Sequence, residues 1–323
     1  MRAVLIVNPN ATSTTPAGRD LLAHALESRV KLTVEHTGRR GHAIDIARDA
    51  ARDGVDVLIV HGGDGTVNEV VNGVLGECGQ MPHPEAPAIG VVPGGAANVF
   101  ARALGISSDP IEATNQLVDL LGDYRRTKSW RRIGLMDCGE RWAVFTAGMG
   151  VDGDVVAAVE AQRDKGRKVT AARYIRVAVR EMLASTRRDP SLTLHFPDRD
   201  PVSGVHFAFV SNASPWTYAS TRPVWTNPDT TFETGLGVFA TTSMNVWANL
   251  RLVRQMLSKK PRIQAKHLIR DDDVAWLRVT SNTPVACQID GDYLGARGDM
   301  TFCSVPQALG VIAPPAKTLS DLH

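Results

Sequence analysis

Short apolar runs separated by glycine, proline and polar turns divide the chain into two textures. In the first part, strand and helix patterns alternate. Ala3–Val7 is an unbroken apolar run that ends in the polar turn Asn8-Pro9-Asn10-Ala11-Thr12. The spacing of Leu21, Leu22, Ala25 and Leu26 predicts an amphipathic helix, and Lys31–Thr37 alternates as a strand. Gly41–Asp53 is predicted helical, with Ile44, Ala47 and Ala51 inward and Gly54 as the stop. Val55–Val60 has the apolar, β-branched character of a strand covered on both faces of a parallel sheet. Val67, Val70, Val71, Val74 and Leu75 then mark one face of the next helix. Ala88–Val92 is a further buried strand and Asn98–Leu104 a short helix. Asp109, Pro110 and Glu112 give a cap, a first-turn proline and a capping-box glutamate for a helix running to about Gly122.

After the basic stretch Arg125–Arg132 the pattern changes to short strands. Trp142–Thr146, Leu192–Phe196, His206–Val210, Leu236–Thr241, Ala275–Thr280, Val285–Ile289 and Met300–Val305 are the predicted ones. Two helical patterns interrupt them, Lys168–Ser185 and Asn245–Ser258, both rich in arginine. Strands gathered in one half after βα units in the other predict two domains of different class.

The chemistry concentrates in two turns. Gly62-Gly63-Asp64-Gly65-Thr66-Val67-Asn68-Glu69 joins the Val55–Val60 strand directly to a helix. Glycines let backbone N–H groups approach an anion closely, and a helix N-terminus favours negative charge, so this is a candidate phosphate site. Asp64 is poorly suited to bare phosphate and well suited to phosphate-bound Mg²⁺. Glu69, one turn on, is either a second carboxylate or a complement to the helix dipole. The second turn, Pro93-Gly94-Gly95-Ala96-Ala97-Asn98, also opens a helix. Two such turns at the carboxyl ends of parallel strands can line one crevice.

Composition changes this picture little. At 323 residues the chain has room for two cores, and no apolar run reaches the ~20 residues of a membrane span. Met1–Val7 is too short an apolar stretch for a secretion signal. Cys78, Cys138, Cys287 and Cys303 are scattered, which points to a reducing cytoplasm rather than a disulfide or zinc framework. Charge matters more. Arg125–Arg188 holds 15 Lys/Arg against 7 Asp/Glu, and Arg251–Arg270 holds 7 basic residues and no acidic one. Such blocks suit an anionic partner, or solvated helix faces. No nucleic-acid-binding motif accompanies them.

Several blocks, taken in order, resemble the diacylglycerol kinase catalytic family, the bacterial lipid kinases related to sphingosine kinases. They are Val7-Asn8-Pro9, Thr37 ahead of Gly41-His42-Ala43, Gly62 to Val70, and Pro93 to Gly105. Weaker blocks follow at Ala147-Gly148-Met149-Gly150-Val151-Asp152 and Gln288-Ile289-Asp290-Gly291-Asp292. The GGDG block is shared with NAD kinases; the immediate Asn68-Glu69-Val70 continuation is more specific to lipid kinases. The resemblance implies an N-terminal Rossmann-like α/β domain (1–125, with 307–323 packing back on it) and a C-terminal β-sandwich over 126–306. ATP would lie in the cleft between them. It implies nucleotide contacts from Asn8, Pro9, Asn10, Ala11 and Thr12, from Thr37, and from Gly62, Gly63, Asp64, Gly65, Thr66, Val67, Asn68 and Glu69. Gly94, Gly95, Ala96 and Asn98 would add backbone contacts. Asp64 would organise catalytic Mg²⁺ through the phosphates, and Asp292 falls where the family has a glutamate as general base. The implied reaction is γ-phosphate transfer to a lipid hydroxyl, most simply diacylglycerol, by a cytoplasmic protein peripherally bound to an anionic membrane. Alternatives are a soluble-substrate kinase such as an NAD kinase, or a binding protein that has lost catalysis. The chain departs from the family pattern at Gly134, Ala96 and Thr234, so the family's structural Mg²⁺ site is not predicted. Edge strands of the second domain leave a homodimer open.

Overall fold

The computed structural model describes residues 1–11, 15–127, 129–164, 177, 180–181, 189–219, 222–259 and 261–316. Thr12 and nearly all of the predicted Lys168–Ser185 helix lie outside them. The chain forms two compact units, Met1–Gly134 with the segment from Gln307 onward, and Leu135–Pro306. No helix among the described residues is long and apolar enough to cross a membrane.

The first unit is a parallel sheet with helices. Its elements are β1 (Arg2–Val7), α1 (Pro16–Glu27), β2 (Lys31–His36), α2 (His42–Arg52), β3 (Val57–Gly62), α3 (Asp64–Leu75), β4 (Ala88–Pro93), α4 (Val99–Ala103) and α5 (Pro110–Thr127). The strand order is β4-β3-β1-β2, every pair parallel. β3 and β4 are buried at all six positions, which is why they read as unbroken apolar runs, whereas edge strand β2 is largely exposed. Leu5, Leu26, Ile59, Leu117, Leu121 and Ile312 share one core cluster in this unit. Ile312 belongs to the returning segment, where Val311 pairs in parallel with Ile89 and Arg132 donates to the Gln307 carbonyl at 2.6 Å.

Three helical expectations need correction. The buried stripe of α1 is narrow: it takes Leu22 and Leu26 while Leu21 stays 60% exposed. In α2 the inward face is Ala43, Ala47 and Ala50, one residue out of phase with Ala51. α5 does not stop at Gly122. Leu121 is fully buried, and Tyr124 stacks on Trp130 with ring centres 3.8 Å apart, so packing carries the helix on to Thr127.

The second unit is mostly antiparallel. β5 (Arg131–Asp137) leads into it, followed by β6 (Trp142–Ala143), β7 (Thr146–Gly150), α6 (Val151–Asp164), β8 (Leu192–His195), β9 (Val202–Val205) and β10 (Phe207–Ser211). Then come β11 (Thr217–Ala219), β12 (Arg222–Val224), β13 (Leu236–Thr241), the helix Val246–Met256 (α7), β14 (Leu268–Val274), β15 (Trp276–Ile289) and β16 (Asp292–Val311). One run of strands is β14-β13-β10-β7-β15, and β15 also pairs with β8, which pairs with β9. The second pairing uses the first half of β15 and the first run uses its end. The two groups face one core that includes Leu194, Val205, Val210, Val238, Leu277, Cys287 and Phe302, the arrangement of a sandwich. The predicted strands Ala275–Thr280 and Val285–Ile289 are therefore one 14-residue strand. Its register shifts between Thr280 and Val285, and this irregular stretch accommodates Pro284, which has no N–H to give to a ladder.

Candidate active site

At the carboxyl edge of the first unit's sheet, the loops after β1, β3 and β4 are tied together. Asn8 N–H donates to the His61 carbonyl at 3.0 Å, and Gly94 N–H donates to Gly62 at 2.9 Å. The Asn8 side-chain amide donates to Thr66 Oγ1 at 3.1 Å, and Asn8 Oδ1 accepts from Asn10 N–H. The glycine turns touch backbone to backbone. A Cβ on Gly95 would lie 2.7 Å from Gly63 Cα, and one on Gly94 would lie 3.1 Å from both Gly62 Cα and Ala11 Cβ. Only glycine permits that approach. Asn98, in the left-handed region at φ 48°, closes the second turn by exchanging hydrogen bonds with Gly95 N–H and C=O at 2.9 and 2.8 Å. Thr37 joins one strand further out, its N–H on the Val7 carbonyl.

The carboxylates in this region hold helix ends. Asp64 Oδ2 accepts from Val99 N–H at 3.1 Å and Oδ1 from Phe100 N–H at 3.0 Å. It caps α4, whose own N-cap residue supplies no side-chain bond. Burial raises its pKa, while the amides of Phe100, Val99 and Asn98 oppose the rise. Glu69 complements a helix end: its two oxygens accept from Gly41 N–H at 2.8 Å and Ala43 N–H at 3.2 Å and so cap α2. Val67 and Asn68 are buried. Each is 1% exposed, because the first turn of α3 carries them into the core. Gly65 and Ala96 stand at the exposed tips of the two turns. Gly63 gives α3 no side-chain cap, and Thr66 and Val67 N–H already donate to its carbonyl, so the exposed Gly65 amide is the α3 donor best placed for an anion.

One participant was not singled out from the sequence. His61, 3% exposed, has Nδ1 at 3.2 Å from the Val92 carbonyl. A carbonyl only accepts, so Nδ1 carries the proton; burial lowers the pKa of the ring, and the bond to Val92 opposes that shift.

In the second unit, the two weaker sequence blocks are one polar cluster. Asp290 and Gly291, with φ of 48° and 81°, form the two-residue turn between β15 and β16. The buried Asp290 carboxylate accepts from Val144, Phe145 and Thr146 N–H at 2.7, 3.0 and 2.8 Å. Asn212 pins the same loop from the other side through the Val144 and Phe145 carbonyls. Gln288 accepts from Gly291 N–H and donates to Asp152 Oδ2 at 2.6 Å. A Cβ on Gly148 would fall 2.1 Å from that oxygen. Burial pushes both Asp152 and Asp290 up to about 6. Asp292 starts β16, partly exposed, with Arg141 Nη1 at 3.2 Å from its Oδ2.

At the other departures, Thr234 bonds within its own turn, and Gly235 N–H donates to Asp273. Nearby, Arg270 supplies a cation to Asp272 and Asp229 at 2.6 and 3.6 Å. Asp137, close to Gly134, accepts from Gly139 N–H.

A parallel sheet with glycine turns at its carboxyl edge, followed by an antiparallel sandwich, defines a two-domain class of α/β and all-β fold. Residues 2–127 match the family model of the diacylglycerol kinase catalytic domain. It is 37% identical over 109 residues to a Chromohalobacter salexigens protein named as a probable lipid kinase, YegS-like, a match covering 34% of this chain and 33% of that one. It is 39% identical over 114 residues to a Bacillus subtilis diacylglycerol kinase, covering 34% and 35%. The matched segments thus span about a third of the curated relatives. The fold extends further. A crystal structure of a diacylglycerol kinase from Bacillus anthracis superposes over 98% of each chain with a TM-score of 0.71, at 18% identity.

Proposed function

We propose that the protein is an ATP-dependent lipid kinase that transfers the γ-phosphate to a lipid hydroxyl, with diacylglycerol as acceptor and phosphatidate as product. The observation that carries this reading is the convergence of Asn8–Ala11, Gly62–Thr66 and Gly94–Asn98 on one sheet edge, beside the uncapped N-terminus of α3. Close glycine packing and the exposed Gly65 amide fit nucleotide phosphates. The acceptor class comes from the names of the relatives.

Mg²⁺ would neutralise the charge that builds on the phosphates during transfer. Asp64 is the residue that would hold it through the phosphates, since each carboxylate oxygen keeps a lone pair beyond its bond to α4. Asp292 takes the hydroxyl proton. The lipid oxygen bonds to the γ-phosphorus as the bond to the β–γ bridging oxygen breaks, and ADP leaves. A loose transition state asks little of the base, so a carboxylate steadied by Arg141 suffices.

The test is transfer from radiolabelled ATP to diacylglycerol in mixed micelles, with and without Mg²⁺. Labelled phosphatidate that requires the metal supports the reading. Transfer to NAD in preference to every lipid acceptor, or tight ATP binding without transfer, overturns it.

A further inference from the structure

Helix α7 carries two separate apolar faces. One seats the helix: Leu252 and Met256 pack in a cluster with Phe209, Val224, Phe239 and Ile263. The other is left in solvent. Val246, Trp247, Leu250 and Val253 are 49, 79, 58 and 38% exposed, four of the nine exposed large hydrophobics among the described residues. Stability alone gives no reason to gather so many on an 11-residue helix. The helix itself is firmly started, since Asn245 Oδ1 accepts from both Trp247 and Ala248 N–H. Trp247 therefore stands on an ordered first turn.

Charge says what covers this face. Arg251 and Arg254 lie on α7 beside the apolar stripe, and Arg222 joins them in lining a shallow groove of about 550 Å³ with Trp247, Leu250 and Val253. Arg262 borders an adjoining groove with Arg251 and Arg254. From Gly235 to Arg270 the sequence holds no aspartate or glutamate. Protein interfaces also favour tryptophan and arginine; what sets this face apart is that every charge lining the two grooves is positive. Exposed aliphatic residues, a tryptophan and unopposed arginines on one short amphipathic helix match the interfacial zone of an anionic bilayer.

We propose that α7 docks on an anionic lipid surface, with Trp247, Leu250 and Val253 entering the headgroup boundary and Arg222, Arg251 and Arg254 meeting lipid phosphates. The proposal rests on the lipid-kinase reading only for its biological purpose. Binding to vesicles is a property of α7 and can be measured without ATP or turnover.

The experiment is sedimentation of the full chain with vesicles of phosphatidylcholine alone, or with about one third phosphatidylglycerol, at low and high salt. Kinase activity is followed separately in detergent micelles. Wild-type protein is expected to sediment only with the anionic vesicles and to be released by salt. Arg251→Gln with Arg254→Gln should lower the partition coefficient about 25-fold, and Trp247→Ala with Leu250→Ala about 100-fold. Both double variants change exposed side chains and should retain micellar activity. Vesicle binding without any transfer activity would sink the kinase reading and leave this one standing. Binding indifferent to phosphatidylglycerol and salt overturns the proposal. So does a wild-type dimer in light scattering that Trp247→Ala with Leu250→Ala converts to monomer, with no vesicle binding; the face would then belong to a second copy.

Discussion

The carboxylate of Asp64, the first residue of α3, accepts the backbone N–H of Phe100 at 3.0 Å and so joins the two glycine turns. Replacing it tests a joint as well as a charge. Asp64→Ala should lower unfolding free energy by about 1–2 kcal/mol, the usual cost of a lost cap. Asp64→Asn keeps one acceptor oxygen but turns its amide on the other N–H donor, and should cost about as much. Both should lose at least about 100-fold in turnover, because the charge proposed to hold Mg²⁺ at the phosphates is gone. Urea unfolding and labelled-ATP transfer read the two effects separately. Near-full activity in Asp64→Asn would refute the assignment.

Gly65 and Gly95 should respond oppositely to alanine. A Cβ at Gly65 meets nothing within 4 Å, whereas at Gly95 it would sit 2.7 Å from Gly63 Cα. Gly65→Ala should leave stability unchanged or raise it by up to about 1 kcal/mol through helix propensity, while raising KM for ATP. Gly95→Ala should cost about 1–3 kcal/mol. Thermal unfolding and an ATP titration check both.

Two buried aspartates in the second unit should also part company on conversion to asparagine. Asp152 rises from 3.8 to about 6 through burial. A folded pKa above the unfolded value means its stabilising contribution is complete below about pH 4 and is lost as pH rises through about 6. Asn keeps an oxygen for the Gln288 amide and removes the buried charge. Asp152→Asn should therefore be more stable than the parent at pH 7.5, by up to about 3 kcal/mol, with a flatter profile between pH 4 and 6. Asp290 shifts in the same direction and window, so part of the slope remains. Asp290→Asn should instead destabilise by about 1–3 kcal/mol, because its amide would face one of three N–H donors. Denaturant midpoints at several pH values separate the cases.

Glu69→Ala should free the first amides of α2. Hydrogen exchange at Gly41 and Ala43 should quicken, and stability should fall by about 1 kcal/mol. Unchanged exchange there would remove the cap from the explanation.

The first unit was legible in the sequence because β3 and β4 are buried on both faces and interrupted only by the glycines their turns require. The roles of the carboxylates were not. Asp64 and Glu69 reach amides 36 and 28 residues away in the chain, and no local spacing encodes such partners. The second unit was harder to read. Its blocks at Gly148–Asp152 and Gln288–Asp292 look weak apart and gain meaning only where β15 sets Gln288 against Gly148. Ala275–Thr280 and Val285–Ile289 read as separate strands because a register shift between them, which spares the missing N–H of Pro284, cannot be seen along one strand.

The strand ending at Val311 has a bearing on how this molecule is made. Ile312 N–H donates to Ile89, and Arg131 donates to the Pro314 carbonyl, so the first unit lacks an edge partner and part of its core until the ribosome has passed through the whole second unit. A nascent chain paused after Gly134 would expose the flank of β4, and cutting there would not yield an independent domain. The part synthesised first is completed last.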